Sequence, residues 1–318
     1  MTGASQQNLL PADAQAIARA AEVLRDGGLV AVPTETVYGL AARADSEAAV
    51  RKIFTAKGRP SFNPLIVHVV DVEMAARLGR LDERAERLAA RFWPGALTMV
   101  LPLREDAGIA APVTAGLPTL ALRCPDHPVM RDLLSVCGLP LAAPSANRSG
   151  AVSPTTPQHV ADSLGDRVDI ILDGGPCRLG LESTIVALRE DCTWQVLRPG
   201  PIGEAELEAV IGKGATSGMT SAKIEAPGQL SSHYSPGKPV RLDVVEAHDN
   251  EFHIGFGGVP GDVNLSPVGN PDEAAAKLYA VLHEARVSAK PAIAVAPIPE
   301  DGVGGALRDR LQRAAADQ

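Results

Sequence analysis

PADAQAIARAAEVLRDGGLVAVPTETVYGL, residues 11–40, carries one helix, one strand and one polar loop in succession, and it decides the fold class. From Pro11 to Asp26, Ile17, Ala20, Ala21 and Leu24 recur at a helical period, and Gly27-Gly28 ends the run. Leu29 to Val32 then reads as a short buried strand, and the hydroxyl-rich stretch Pro33–Leu40 follows it directly. A helix that feeds a buried strand and then a polar loop is α/β organisation.

The alternation continues on the C-terminal side, but irregularly. Asp45 or Ser46 can cap a helix with Val50, Ile53 and Phe54 inward, closed by Gly58. Leu65–Val70 is strand-like, Val72–Leu78 and Asp82–Phe92 are helical, and Pro94-Gly95 stops the second of these. Strands are expected at Ala96–Leu103, Thr119–Arg123, Leu139–Ala143, Val168–Leu172, Thr184–Leu188 and Trp194–Leu197, with a helix at His127–Val136. The result is a mixed α/β sheet rather than a regular βαβ array. From Gly212 to Pro239 the chain turns to Gly, Ser, Thr, Ala and Pro without periodicity, as a linker does. Strands at Val240–Val244, His253–Phe256 and Ile293–Ala296 and helices at Asp272–Glu284 and Gly305–Ala315 then make a small α/β unit of their own. The expected division is a first domain over residues 10–211, a linker over 212–239 and a second domain over 240–318.

Composition narrows the function. The chain has 318 residues, 45% hydrophobic and 21% charged, enough to bury a sizeable core. Aromatics make up only 3%, so Val, Ile, Leu and Ala fill that core and base-stacking platforms are not expected. A net charge of −8 argues against coating nucleic acid, but not against a local basic pocket for a phosphate-bearing small molecule. Met1–Leu10 lacks the signal-peptide pattern, and no apolar run reaches the roughly 20 residues that span a bilayer, so a cytoplasmic protein is expected. Cys124, Cys137, Cys177 and Cys192 form no CxxC pair and have no His partner at zinc spacing, which points to reduced thiols.

The usual nucleotide and hydrolase signatures are absent: there is no Walker A loop, no G-x-G-x-x-G after a strand, no nucleophile elbow and no H-E-x-x-H. What remains is a series of polar clusters at strand ends. Pro33–Leu40 offers Thr34, Glu35 and Thr36. Lys57-Gly58-Arg59-Pro60, followed by Asn63 and then His68 in a strand, presents two cations around a glycine, a set suited to a polyphosphate. Pro144–Gly150 with Ser153 places hydroxyls, an amide and backbone N–H groups where phosphate or ribose could be held. Glu182-Ser183-Thr184 and Leu197–Gly200 repeat the pattern. Each cluster alone also reads as an ordinary turn or helix terminus.

In this order and spacing the clusters resemble one family, the Sua5/YrdC/YciO group of threonylcarbamoyl-AMP synthases. The matching segments are PTETVYGL (33–40), KGRPSFNPL (57–65) with His68, WPGALT (93–98), LALRCP (120–125), APSANRSG (143–150), LESTIV (181–186) and LRPGPI (197–202). PGQLSSHYSP (227–236) resembles the family's linker, and Asn264–Pro267 with Ile298–Glu300 its smaller C-terminal domain, so the likeness is to the long, two-domain Sua5 form. The resemblance implies a twisted mixed sheet with a large concave cavity, followed by a small Rossmann-like domain.

It also implies the activity: threonylcarbamoyl-AMP and pyrophosphate made from L-threonine, bicarbonate or CO2, and ATP, with Mg2+ arriving on the triphosphate. The product would pass to separate transfer proteins for N6-threonylcarbamoylation of adenosine 37 in tRNAs that read ANN codons. Carried over by the resemblance, Thr36, His68, Arg123, Ala143 and Ser183 would hold threonine. Lys57, Arg59, Asn63, Thr119, Ser145, Asn147, Ser153, Arg198 and Tyr234 would hold ATP. The linker would fold across the mouth of the cavity, Tyr234 reaching over the nucleotide. The alternatives are an RNA-binding module of the same fold without synthase activity, which leaves direct RNA contact open, and the carbamoyl-transfer branch that matures hydrogenases. The second would bring zinc-finger modules, for which no Cys pattern is present.

Overall fold

A computed structural model of the chain describes residues 8–213, 225–229 and 233–316. Of the segment read as a linker, residues 214–224 and 230–232, including Leu230-Ser231-Ser232 of its motif, lie outside the described residues.

In chain order the elements are β1 (Leu9–Pro11), α1 (Ala14–Arg25), β2 (Val30–Val32), β3 (Gly39–Arg43), α2 (Glu47–Lys57), β4 (Ile66–His68), α3 (Val72–Leu78), α4 (Glu83–Phe92), β5 (Leu97–Pro102), α5 (Ala111–Thr114), β6 (Thr119–Arg123), α6 (Pro128–Cys137), β7 (Leu141–Ala142), α7 (Pro157–Leu164), β8 (Ile170–Asp173), β9 (Thr184–Leu188), β10 (Trp194–Arg198) and α8 (Glu204–Ile211). They continue with β11 (Val240–Arg241), β12 (Glu251–Gly255), β13 (Val263–Asn264), α9 (Pro271–Val287), β14 (Ala292–Val295) and α10 (Val303–Ala315).

The first ten strands form one mixed sheet in the order β1-β8-β2-β3-β7-β4-β6-β5-β9-β10, as the irregular alternation predicts. The last four form a separate, wholly parallel sheet in the order β11-β14-β12-β13. Local chemistry explains the helices that matter for the site. Ser46 accepts the Ala49 N–H at the start of α2, and Gly58, at φ 61°, ends the helix in the left-handed region that glycine enters without strain. The chain thus leaves α2 immediately after Lys57 and sends Arg59 back over the sheet. Asp13, Asp71 and Asp82 cap α1, α3 and α4 in the same way.

Four elements depart from the expectations. Gly39 and Leu40, the end of the polar loop in the sequence, begin β3 (Gly39–Arg43), which pairs with β2 on one side and β7 on the other. Gly-Leu-Ala-Ala-Arg has no β-branched residue, so pairing rather than propensity makes it a strand. Pro157–Leu164 and Glu204–Ile211 are helices that the polar turn signals concealed, α7 capped by Thr156 and α8 by the reach of Glu206 back to the Gly203 N–H. Leu9–Pro11, of which only Pro11 falls in the expected first helix, is an edge strand on β8.

β4 and β6 run parallel, with His68 beside Arg123 in register. Side chains alternate across a strand, so Ile66 and His68 on β4 share a face with Thr119, Ala121 and Arg123 on β6. Ile66, Ala121, Val100, Ile185, Ala187 and Leu197 form an apolar patch on that sheet, and Ala226 of the linker segment is buried against it. The site lies beside this patch.

Candidate active site

One cavity opens along the carboxyl ends of β4 and β6. Its wall contains Thr34, His68, Arg59, Arg123, Ser145, Glu182, Arg198, His233 and Tyr234, with Val37, Ile66 and Ala143 as apolar lining. Pro227, Gly228, His233 and Tyr234 come from the linker segment and form one side of that wall. Three guanidiniums, each under a tenth exposed, therefore meet in one place.

The first polar loop sets Arg123. Thr34 Oγ1 accepts the N–H groups of Thr36 and Val37 and donates to the Val37 carbonyl at 2.7 Å, closing a tight hydroxyl-stapled turn. That turn aims Glu35 and Thr36 at β6. Arg123 Nη2 lies 2.7 Å from Glu35 Oε1 and donates to Thr36 Oγ1 at 2.9 Å, while its Nε donates to the Gly95 carbonyl. The other Glu35 oxygen accepts the Asp126 N–H. His68, beside Arg123, is buried with no partner at Nδ1. Burial first, and then the Arg123 charge, push its imidazole down to about 3, so it is neutral at physiological pH.

The opposite side is more cationic. Burial, reinforced by Arg59, pushes the Lys57 ammonium well below the usual lysine range. Burial, with the Arg198 charge opposing it as well, lowers Arg59 to about 10, still protonated at neutral pH. Arg59 folds onto its own loop, donating to the carbonyls of Asn63 and Pro64. Arg198 donates twice to the Ser183 carbonyl, at 3.1 and 2.9 Å, and once to Ser183 Oγ at 3.2 Å. Ser153 donates to Glu182 at 2.6 Å. Tyr234 is buried with φ 62°, a rare backbone conformation for a bulky residue.

Of the fourteen residues singled out from the sequence, His68, Arg123, Ala143, Arg59, Ser145, Arg198 and Tyr234 line the cavity directly. Thr36, Ser183 and Ser153 stand one bond behind it, on Arg123, Arg198 and Glu182 respectively. Lys57 donates to the carbonyls of Ser145 and Asn147, tying the end of α2 to the third polar loop. Asn147 braces that loop through the Arg148 and Ala151 carbonyls, and the buried Oδ1 atoms of Asn63 and Asn147 have no partner. Thr119 is not brought together with the others. It begins β6, four residues from Arg123, and the patch under Ala226 borders that strand.

Glu35 and Glu182 lie within the sequence motifs without an assigned role; both are buried carboxylates, Glu35 ion-paired with Arg123 and accepting the Asp126 N–H, Glu182 ion-paired with Arg310 and accepting the Ser153 hydroxyl. Among the described residues no group of three His, Cys, Asp or Glu side chains stands close enough to hold a metal. Glu182 in the cavity wall and Glu35 behind it are both already paired with arginines, so the wall suits an anion. No described helix is long and apolar enough to cross a membrane.

Comparison with known proteins shows the family. Residues 22–200 match the Sua5_yciO_yrdC family model, described as "Telomere recombination". Residues 202–316 match a second model, "Threonylcarbamoyl-AMP synthase, C-terminal domain". A Bacillus subtilis protein named threonylcarbamoyl-AMP synthase is 42% identical, covering 94% of this chain and 92% of its own. A Pyrococcus abyssi protein of the same name is 38% identical over 93% of both chains. The crystal structure of P. abyssi Sua5 complexed with L-threonine superposes with a TM-score of 0.85 at 37% identity, covering 94% of each chain.

Proposed function

The chain belongs to the Sua5/YrdC/YciO family in its two-domain Sua5 form and is an L-threonylcarbamoyladenylate synthase, a nucleotidyltransferase; from that premise we propose how its cavity divides the work. Its substrates are L-threonine and ATP, and its product serves threonylcarbamoyladenosine synthesis in tRNA. In our reading bicarbonate or CO2 supplies the carbamoyl carbon, the reaction takes place in the cytoplasm, and the product goes to separate tRNA-transfer proteins.

The observation that carries the reading is the convergence of Arg59, Arg123 and Arg198 on one cavity whose lining carboxylate, Glu182, is already paired with Arg310, as Glu35 behind the wall is with Arg123. Such a wall attracts a carboxylate and a polyphosphate together. Threonine takes the side built by β4, β6 and the Thr34–Thr36 turn. Its carboxylate pairs with Arg123, its methyl meets Val37, Ile66 and Ala143, and its amine comes near the neutral His68. Thr36 and Ser183 hold the two arginines in register.

The triphosphate takes the other side, between Arg59 and Arg198, with Ser145, Asn147, Ser153, Asn63, Lys57 and Tyr234 around it and Thr119 at the far end of β6. The threonine ammonium gives up two protons to solvent as its nitrogen bonds to CO2, which leaves a carbamate anion. A carbamate oxygen then attacks the α-phosphorus, the bond from that phosphorus to the β-bridging oxygen breaks, and pyrophosphate leaves. In-line transfer of this kind needs positioning and charge neutralisation more than covalent catalysis. Magnesium, bound with ATP, supplies further charge neutralisation on the phosphates.

Pyrophosphate release measured with each substrate omitted in turn tests this. Release should require ATP, threonine and bicarbonate together, with a threonylcarbamoyl-AMP mass in the products. Release without threonine, or none with all three, would overturn the reading.

A further inference from the structure

The C-terminal unit touches the cavity wall from behind, and it does so through charge. Arg310 on α10 is fully buried, although it belongs to neither the large sheet nor its loops. Its Nε donates to Glu182 Oε2 at 3.0 Å and its Nη2 to the Pro199 carbonyl at 2.9 Å. Its guanidinium carbon sits 5.3 Å from the centre of the Tyr234 ring. Tyr279 on α9 donates to the same Glu182 oxygen at 2.8 Å and stacks on Tyr234. The other Glu182 oxygen holds Ser153, whose carbonyl lies 3.1 Å from His283 Nε2 on α9. The Arg313 carbonyl of α10 accepts the His233 N–H.

These contacts share one outcome. Ser153, Tyr234 and the Arg198-Pro199 junction, all on the nucleotide side, meet the buried Glu182–Arg310 ion pair between the two units, and Arg310 Nη1 also donates to Asp309 at 2.6 Å. Tyr234 keeps its unusual backbone angle where Tyr279, Arg310 and the Ser235–Gly150 backbone bond surround it. Glu182 has two guanidiniums within its field, Arg310 and Arg198. Burial alone would push its carboxyl up; Arg310 first, then Arg198, with the Ser153 and Tyr279 hydroxyls, hold it down at about 2. An ionised carboxylate in this place must be satisfied by some cation, since a buried unpaired charge is strongly disfavoured.

We infer that Arg310 is a positioning residue for the nucleotide half of the cavity: by occupying Glu182 it keeps Arg198, held on Ser183, from being neutralised by that carboxylate, so that its charge serves phosphate and ATP affinity depends on the seated C-terminal unit. The inference rests on the assignment of Arg198, Ser153 and Tyr234 to ATP made above. In its absence Glu182 would turn to Arg198 and neutralise the cation meant for the nucleotide. Coupling through such a shared partner is commonly worth a factor of about 5 to 150 in affinity.

The test is a kinetic cycle on the full chain, with KM for ATP and for threonine measured separately and folding followed by circular dichroism. Arg310→Gln should raise the ATP KM by about tenfold or more while the threonine KM changes less than about threefold. Removing the rival carboxylate as well, in Arg310→Gln/Glu182→Gln, should restore most of the ATP affinity. A purely structural pair predicts instead that the double variant is no better than the single, or that both KM values stay put while Tm falls; either result overturns the inference. Tyr279→Phe removes one donor from Glu182 without touching charge, and should shift the ATP KM the same way by a smaller factor. It decides the matter if Arg310→Gln does not fold, and an unchanged ATP KM in it would then count against the proposal. Arg308→Gln, which breaks the Asp243 and Glu300 pairs on the same helix, is the control and should leave both KM values unchanged. If the wild-type chain forms no product in this assay, the functional reading fails rather than the role of Arg310.

Discussion

The two halves of the cavity are built differently. The half we assign to threonine is self-contained: Arg123, His68, Glu35 and Thr36 all belong to the large sheet and its first loop, and Arg123 is fixed by neighbours from the loops of that unit, Glu35, Thr36 and Gly95. The half we assign to ATP is composite. Its Glu182, Ser153 and Tyr234 are held by Tyr279, His283 and Arg310 of the C-terminal helices, and its linker wall closes over an apolar patch. A small, chemically fixed substrate suits a rigid pocket, whereas a large nucleotide that must enter and leave suits a wall with a separable part. The comparison makes threonine recognition a property of one unit and ATP recognition a property of two.

The largest expected effect lies on the self-contained side. Replacing Arg123 by Gln, with Glu35→Gln in the same chain to avoid an unpaired buried carboxylate, should cost about 3–5 kcal/mol in kcat/KM for threonine. Calorimetry should show ATP binding nearly unchanged. Equal losses for both substrates would erase the boundary between the halves.

On the composite side, Lys57→Met should cost roughly 2–4 kcal/mol of transition-state stabilisation. As a loop cation Lys57 would matter little for folding, but it is buried and bonded to the Ser145 and Asn147 carbonyls, so Tm should fall too. Near-normal turnover would remove Lys57 from the nucleotide side. A smaller effect concerns the methyl recess of Val37, Ile66 and Ala143. Serine in place of threonine should lower kcat/KM by about 1–3 kcal/mol, and equal values for the two amino acids would show that the recess does not bind the methyl.

The smallest effect separates the halves by pH. His159 and His283 stack across the two units at 3.9 Å. Burial, then the partner ring, lowers His159 to about 4, and burial lowers His283 as well. Their folded values lie below the unfolded value of about 6.5, so the unfolded chain takes up protons first. Stability from this pair is therefore complete above about pH 6.5 and is lost as the pH falls toward 4. His283→Gln should flatten the Tm-against-pH curve over that window, and a curve parallel to that of the wild type would show that the stack does not titrate.

Much of this was legible in the sequence, and what was not has a physical reason. Strands such as Thr119–Arg123 and Thr184–Leu188 announce themselves by apolar, β-branched runs, and the Ser46 and Gly58 caps delimit α2. β3 escapes because a Gly-Leu-Ala-Ala-Arg strand is made by its neighbours on both sides. The site motifs name most of the wall because its groups sit in short loops after strands. Arg310 does not stand out, because its partner Glu182 is 128 positions away. Its only mark is a charge falling on the same helical face as Ala306, Leu307, Leu311 and Ala314. That pattern could have flagged a buried ion pair but could not have named its partner.

The division of the cavity is tested most directly by a crystal structure of the full chain with L-threonine, magnesium and a non-hydrolysable ATP analogue bound together. The account predicts the threonine carboxylate on Arg123, beside His68, and the triphosphate between Arg59 and Arg198 with Arg310 still paired to Glu182. A triphosphate seated on Arg123, or a nucleotide bound with Glu182 turned to Arg198, would contradict it.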